Sequence, residues 1–385
     1  MITKHYREIK KLLKKGNHLD TYFVSKYSFS PYMACQHGCK YCDGRAERYY
    51  VEGDFEKDII VRKNTAELLE QELAKERDWG VISVGSGISD TYQPCELEEK
   101  IMTKTLKVLI KYKYPLFLIT KSANIVRDID LLAKLNEVAG VTIASSLTFP
   151  DDNHRKIIEA NASSIEDRVK SLKLLQKKGI SIAIMAMPLL PKLVDNKVDL
   201  ERLFDLYASL KPSFVLPGGL TLRPGKNKDL FMNVIKKKYP QYEKFYQKIY
   251  GQDFISGSPL REYSNSFYER VDYQMRRTGL SYTVPFEIYK ERFPVYDVIF
   301  IFLTHLKFHY KKHKDIDRLV TSYNNYKEWY LMFKKKLGKN KKVSYHNLEE
   351  EFSFLLQTGI IEQTIANKTL YNHILEKINK IERIK

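Results

Sequence analysis

Cysteine is scarce in this chain of 385 residues: there are four, against 27 tyrosines and 65 lysines and arginines. Four cysteines cannot make the disulfide framework of a small secreted domain. No apolar run approaches the length needed to span a bilayer. The opening MITKHYREIKKLLKKGNHLD is basic and lacks the apolar block of a signal peptide, so cytoplasmic residence is the expectation. Low-complexity tracts are missing too, and hydrophobic residues make up 43%, which excludes a disordered chain. Acidic residues are outnumbered, leaving a formal charge of +18. That surplus suits a polyanion such as DNA or RNA; lysines scattered over solvated helix faces would produce it as well.

What is there has a clear order. The apolar runs VISVGSG (81–87), PLFLIT (115–120), VTIASSL (141–147), ISIAIMAMP (180–188) and SFVLPGG (213–219) are short and nearly continuous, as strands buried on both faces should be. A less regular first strand is expected near 22–29. Between them come amphipathic patterns, such as Ile165, Val169, Leu172 and Leu175, or Leu97, Ile101, Thr105 and Val108, at helical spacing. Six βα units predict an α/β fold, a partial (βα)6 TIM-type barrel whose chemistry sits at the C-terminal ends of the strands. A basic segment (1–20) would precede the barrel (21–225), and a Lys- and Tyr-rich α-helical extension (226–385) would follow it. In that extension Lys236 to Lys238 lie among Tyr239, Tyr242 and Phe245, and Lys307 to Lys314 and Lys334 to Lys336 form further clusters. Such mixtures can stack bases and take phosphates. However, Tyr242, Phe245, Tyr246 and Ile249 also recur at the spacing of a helix core.

Three of the four cysteines fall within ACQHGCKYCDGR (34–45), as C-x3-C-x2-C. Cys35, Cys39 and Cys42 can present three thiolates from one loop. A structural zinc would need a fourth ligand, for which His37 is nearest, but no second ligand pair occurs elsewhere. The alternative is an iron–sulfur cluster held by three cysteines, with one iron left open.

The spacing, the aromatic Tyr41 before the last cysteine and the loop's place after a first strand resemble the radical S-adenosylmethionine (SAM) superfamily. SPYMACQHGCKYCDGR, SGISDTYQP, LITKSANIVRDIDLL, SSLTFPDD and VLPGGLTLRPG, across roughly 25–290, resemble its group related to spore photoproduct lyase, the DNA repair photolyase-like proteins. The resemblance implies a [4Fe–4S] cluster on Cys35, Cys39 and Cys42, whose open iron binds the methionine moiety of SAM, and reductive cleavage to a 5′-deoxyadenosyl radical. It also implies a low-potential electron donor of flavodoxin or ferredoxin type. The substrate it suggests is nucleic acid, in lesion repair or base modification. A small molecule or peptide is the alternative, and a non-catalytic iron–sulfur or zinc protein that binds nucleic acid is a third reading.

Ser86, Ser89 and Asp90 would meet the SAM amino group, although Asp90 at a glycine turn is also an ordinary helix cap. Lys121, closing the third apolar run, suits a carboxylate or ribose, and Ser145 and Ser146 suit hydroxyl contacts at the fourth. Arg168 would clamp the SAM carboxylate or simply stand exposed on its helix. Ala186 and Tyr41 would pack near the adenine, and Arg223, at the barrel mouth, would suit a phosphate or carboxylate. Some positions depart from the group. Ser30 to Ala34 replace its common Asn-Pro-Tyr-Arg-Gly, and Asp43 stands where Tyr is frequent. Gly87 occupies the place of the hydrogen-donor cysteine of lyases. Cys95 is then the one thiol left over, either a donor near the site or a small buried hydrophobe.

Overall fold

In a computed structural model of the chain, which describes residues 1–85, 87–339 and 342–379, ten strands are found. They are β1 (Thr3–Arg7), β2 (Lys14–Asp20), β3 (Ser25–Phe29), β4 (Tyr32–Met33), β5 (Asp58–Arg62), β6 (Ile82–Val84), β7 (Leu116–Thr120), β8 (Val141–Ser146), β9 (Ser181–Leu189) and β10 (Phe214–Gly219). The five apolar runs marked by the sequence are β6 to β10, and they lie side by side in chain order. Pairs β7–β8, β8–β9 and β9–β10 are parallel, with Ala183 between Ala144 and Phe214. Every residue of β7 and β8 is buried, which explains why those strands read as unbroken apolar runs. This is the partial TIM-type barrel that the alternation predicts.

Helices connect these strands, and short polar side chains start them. Ser164 accepts the Asp167 N–H to open Ile165–Lys177, and Asn196 accepts the Asp199 N–H to open Lys197–Ser209. The expected helix from Leu97 to Val108 is broken instead. Lys100 adopts φ of 50° between Glu96–Glu99 and Ile101–Tyr112, so Leu97 drops out of the buried stripe and is 46% exposed.

Two compact units make up the chain. The first comprises Met1–Leu13, Phe29–Glu70 and Ser83–Tyr282; the second comprises Lys14–Ser28, Gln71–Ile82 and Thr283–Lys385. The basic N-terminal stretch is therefore structured, as β1 against β5 in the first unit and as β2 in an antiparallel pair with β3 in the second. Helices Lys226–Lys238, Glu243–Tyr250 and Arg261–Thr278, expected in the extension, belong to the first unit, where Tyr239, Tyr246 and Ile249 are core. The second unit packs helices Val295–His309, Ile316–Lys339 and Tyr345–Gln357 around Tyr296, Phe300, Tyr326, Tyr330, Phe333 and Phe352. Among the described residues no helix is long and apolar enough to cross a membrane.

Candidate functional site

The cysteine loop leaves β4 through two left-handed positions, Ala34 (φ 64°) and Gly38 (φ 61°), which fold it back on itself. Gly38 N donates to Cys35 O at 3.1 Å and Cys42 N to Cys39 O at 3.2 Å, giving two tight turns that begin at Cys35 and Cys39, the second ending at Cys42. Arg45 closes the loop, donating to the carbonyls of Gly38 and Cys39 at 3.0 Å each and to Glu56 at 2.5 Å.

Neighbouring elements brace the loop. Ser89 Oγ donates to Ala34 O at 2.8 Å, and Gln93 joins the same net by accepting the Gln36 N–H at 2.8 Å. From the segment after β10, the fully buried Asn227 donates to the carbonyls of Tyr41 (3.2 Å) and Cys42 (2.9 Å). Arg223, expected to face substrate at the mouth, instead donates from Nε to Asp43 in that loop at 2.6 Å.

All three thiols are free, with Cys35 and Cys39 buried and Cys42 half-buried. Burial pushes each thiol up, Cys39 to about 12. The backbone of Asp90 pulls the other way at Cys35, and that of Gly44 at Cys42. Donors aimed at sulfur favour thiolate, and metal-bound thiolate is the form that tolerates a dry site. Lys121 supplies positive charge: burial opposes its charged form, but Cys39, Glu159 and Cys42 raise its ammonium above the ordinary value. Among the described residues no three His, Cys, Asp or Glu side chains surround a single ion. A [4Fe–4S] cluster asks for something else, one cysteine on each of three separate irons, and the loop offers three free thiols for that purpose. His37 is turned to Asp90, with Nδ1 3.5 Å from Oδ2, and burial pushes its imidazole down.

The radical SAM superfamily model matches residues 29–204, from the end of β3 through all three cysteines and most of the barrel. That match makes residues 29–204 a radical SAM domain. An uncharacterised protein of Mycobacterium tuberculosis is 27% identical over 230 residues, which is 58% of this chain and 67% of that protein. Another, from Methanocaldococcus jannaschii, is 32% identical over 173 residues, 44% of this chain and 63% of that one. Among solved structures, a spore photoproduct lyase variant superposes with a TM-score of 0.52 at 13% identity, covering 71% of this chain and 79% of the other. The complex of that lyase with dinucleoside spore photoproduct gives 0.50 at 14%, with 71% and 79% covered. The likeness to the lyase is one of fold.

Within this radical SAM domain the residues expected around SAM fall into two groups. Lys121 and Ser146 meet at the ends of β7 and β8, Nζ to Oγ 3.3 Å, with Nζ 5.8 Å from the Tyr41 ring centroid. Ser145 and Ala186 are buried on β8 and β9. Gly85 must be glycine, because its φ is 89° and a Cβ there would lie 2.0 Å from Ile119 O. Gly87 also takes a left-handed φ, 88°, but a Cβ would meet nothing within 4 Å. Ser86 lies outside the described residues.

The second group is already engaged with the protein. Asp90 accepts from Thr120 Oγ1 and Lys121 N at 2.8 Å each and from Tyr92 N at 2.9 Å, so its carboxylate fastens the end of β7. Arg168 is neither exposed nor free to clamp. It is fully buried and donates to Glu159 at 2.6 Å and to the carbonyls of Ser146 and Ser163 at 2.9 Å each. A buried guanidinium needs a carboxylate, and Glu159 supplies it. Burial alone would raise Glu159, but Arg168 and Lys121 outweigh it and hold the carboxyl at about 2. The same carboxylate accepts the Tyr41 hydroxyl, so the residue before Cys42 is fixed through its side chain and its carbonyl at once. Cys95 packs among Tyr32, Ala34, Cys35 and Ile101; burial and the nearby Glu96 and Glu99 push its thiol up to about 12. Sequence reasoning missed Arg45, which closes the loop from its own end, and Gln93, Glu159 and Asn227, which act on it from a distance in the chain. Of these, only Glu159 offered a signal, as a carboxylate nine positions before an arginine that needs one.

Proposed function

We propose that this radical SAM enzyme binds a [4Fe–4S] cluster on Cys35, Cys39 and Cys42, cleaves SAM and acts on nucleic acid. The observation that carries the reading is the cysteine loop itself: three free thiols within one stretch of eight residues, folded by two tight turns and closed by Arg45. When bound, the cluster and SAM supply a one-electron cleavage that yields a 5′-deoxyadenosyl radical. The chain's own residues do the holding. Arg45, Gln93 and Asn227 fix the loop, Lys121 offsets its negative charge, and Ser145, Ser146 and Ala186 line the strand ends beside it. The glycines Gly85 and Gly87 let backbone approach a ligand closely. A low-potential flavodoxin- or ferredoxin-type donor and a cytoplasmic setting belong to the same reading.

For the substrate, support comes from the charge of +18 and from a fold shared with an enzyme crystallised with a dinucleoside lesion. The lyase reaction on the spore photoproduct fits less well. Gly87 holds a left-handed backbone where lyases carry their donor thiol, and Cys95 is closed into the core. Base modification or another lesion is therefore the reading proposed, with a small-molecule or peptide substrate as its alternative. Anaerobic reconstitution with iron, sulfide, dithionite and SAM tests it. 5′-Deoxyadenosine should form, and adding DNA or RNA oligonucleotides should yield a modified nucleoside by mass spectrometry. Failure to form 5′-deoxyadenosine would end the cluster assignment; formation with no nucleic-acid product would move the substrate to the alternative.

A further inference from the structure

The second unit holds a cluster that the SAM chemistry does not use. Lys26 is buried, with only 4% of its side chain exposed, and its ammonium lies 2.7 Å from Asp78 and 2.5 Å from Asp297. Lys334 reaches the same two carboxylates at 3.0 and 3.2 Å, and Lys15 reaches Asp78 at 3.2 Å and Glu76 at 3.4 Å. Tyr330 donates its hydroxyl to Asp297 at 2.6 Å. Lys15, Lys26, Asp78, Tyr330 and Lys334 line a cavity of about 310 Å³ between the β2–β3 pair and helices Val295–His309 and Ile316–Lys339. That volume is at the lower end of small-ligand sites.

The paired groups balance, Lys15, Lys26 and Lys334 against Glu76, Asp78 and Asp297, so a further lysine at the cavity is surplus charge. Lys327 also lines the cavity, and among the described residues it makes no hydrogen bond or ion pair. Tyr323 lines the cavity with a hydroxyl that, among the described residues, has no hydrogen-bond partner; Lys307 stands 3.7 Å from its ring centroid. Of the carboxylates, Asp78 lines the cavity, whereas Lys15, Lys26, Lys327 and Lys334 all line it and Lys307 stands beside it. Lys26 and Lys334 are held in place by Asp78 and Asp297, so part of the positive wall is ordered before any ligand arrives. The floor is apolar, with Phe300 stacked on Tyr330 at 4.6 Å and 3°. Ammonium groups around a half-apolar hollow of this size match a compact organic phosphate.

We propose that this cavity is a phosphate-binding site that takes a nucleotide, with Lys327 as its principal contact. The choice of a nucleotide rests on the nucleic-acid reading above; the anion site rests on the cavity alone. The phosphate would come from a nucleic-acid strand or from a free nucleotide, and the two sources are separable. Binding of AMP and of a short single-stranded oligonucleotide without a terminal phosphate should be measured on the intact reconstituted protein, for wild type, Lys327→Glu and Lys327→Arg.

Lys327→Glu should weaken binding about tenfold or more and lower the salt slope by about one, while Lys327→Arg keeps most of the affinity. Thermal stability and 5′-deoxyadenosine formation from SAM alone should stay as in wild type. A loss confined to AMP would support the site and assign it to free nucleotides, ending the strand as source. If wild type forms no 5′-deoxyadenosine, the cluster reading fails while AMP binding still reports on the cavity. If Lys327→Glu binds both ligands as wild type does, or if wild type binds neither, the proposal is overturned.

Discussion

Behind the cysteine loop, Glu159 is completely enclosed, and both of its oxygens are engaged, one with Tyr41 and Thr148 and the other with Arg168. In the second unit, Asp78 and Asp297 are just as enclosed, but they are shared among three lysines, and Asp78 borders a hollow. The first network is closed and spends its charge on fixing one loop. The second is open: its three paired lysines match Glu76, Asp78 and Asp297, and Lys327 adds a further ammonium at the cavity wall. Buried ion pairs are weak evidence of stabilisation in either case, since desolvation offsets most of the attraction. What distinguishes them is what their geometry holds in place: backbone carbonyls beside thiols in one, a wall of ammonium groups in the other.

The largest effect should come from the thiols that the closed network serves. Changing Cys35, Cys39 or Cys42 to Ala should abolish both 5′-deoxyadenosine formation and the brown absorbance of anaerobically reconstituted protein. Iron analysis and nucleoside chromatography check this, and a variant that keeps its iron would separate that cysteine from the cluster. Next come the networks themselves, compared side by side. Glu159→Gln strands the Arg168 charge and Asp297→Asn strands part of that on Lys26, so each should cost about 3–5 kcal/mol in denaturant unfolding. Only Glu159→Gln should also speed iron loss to a chelator. If Asp297→Asn does so equally, the two networks are not distinct in role.

Acid sharpens the same contrast. The Glu159 carboxyl is held at about 2 in the fold against an ordinary 4.5, so the unfolded chain binds the proton first as pH falls. Its contribution is present in full above pH 4.5 and is lost on the way down to 2. Asp78 behaves likewise: burial would raise it, but Lys26, Lys334 and Lys15 hold it well below the usual range. Glu159→Gln should therefore flatten the acid limb of the stability curve without removing it, as urea titrations between pH 5 and 3 would show. A smaller loss is expected for Asn227→Ala, which leaves the Tyr41 and Cys42 carbonyls without their donor, about 1–3 kcal/mol together with faster loss of iron. Smallest is Cys95→Ala, a packing loss of about 1 kcal/mol with SAM cleavage unchanged. Normal SAM cleavage with stalled product would return Cys95 to the site as a hydrogen donor.

The barrel was legible because β6 to β10 are buried on both faces and so read as apolar runs. β1 and β2 were not, since all five residues of β1 are exposed or half-buried and its sequence, TKHYR, looks like any basic surface. The left-handed break at Lys100 carries no sequence mark, which is why one helix was expected where there are two. At the site, the cysteine spacing was legible as chemistry, and the strand-end residues Lys121, Ser145 and Ser146 were legible as positions. Arg168 misled because a fully buried arginine is rare and its partner, Glu159, lies just past the end of the preceding helix. Asn227 was invisible for a plainer reason: an asparagine has no periodicity, and its partners are 185 and 186 positions away.

That distance has a consequence for how the protein is made. The cysteine loop is among the first segments to leave the ribosome, yet Asn227 and Arg223, which anchor its carbonyls and Asp43, belong to the segment that follows the last strand. Closing so long a span is among the slow events of folding. Until it closes, the end of the loop around Tyr41 to Asp43 lacks two of its anchors, and its thiols are more open to oxidation and to scavenged metal. Maturation should therefore run in a fixed order, sheet completion first and iron loading second. Pulsed thiol labelling during refolding under anaerobic conditions would show this as protection of Cys39 arriving together with, and never ahead of, amide protection in β10.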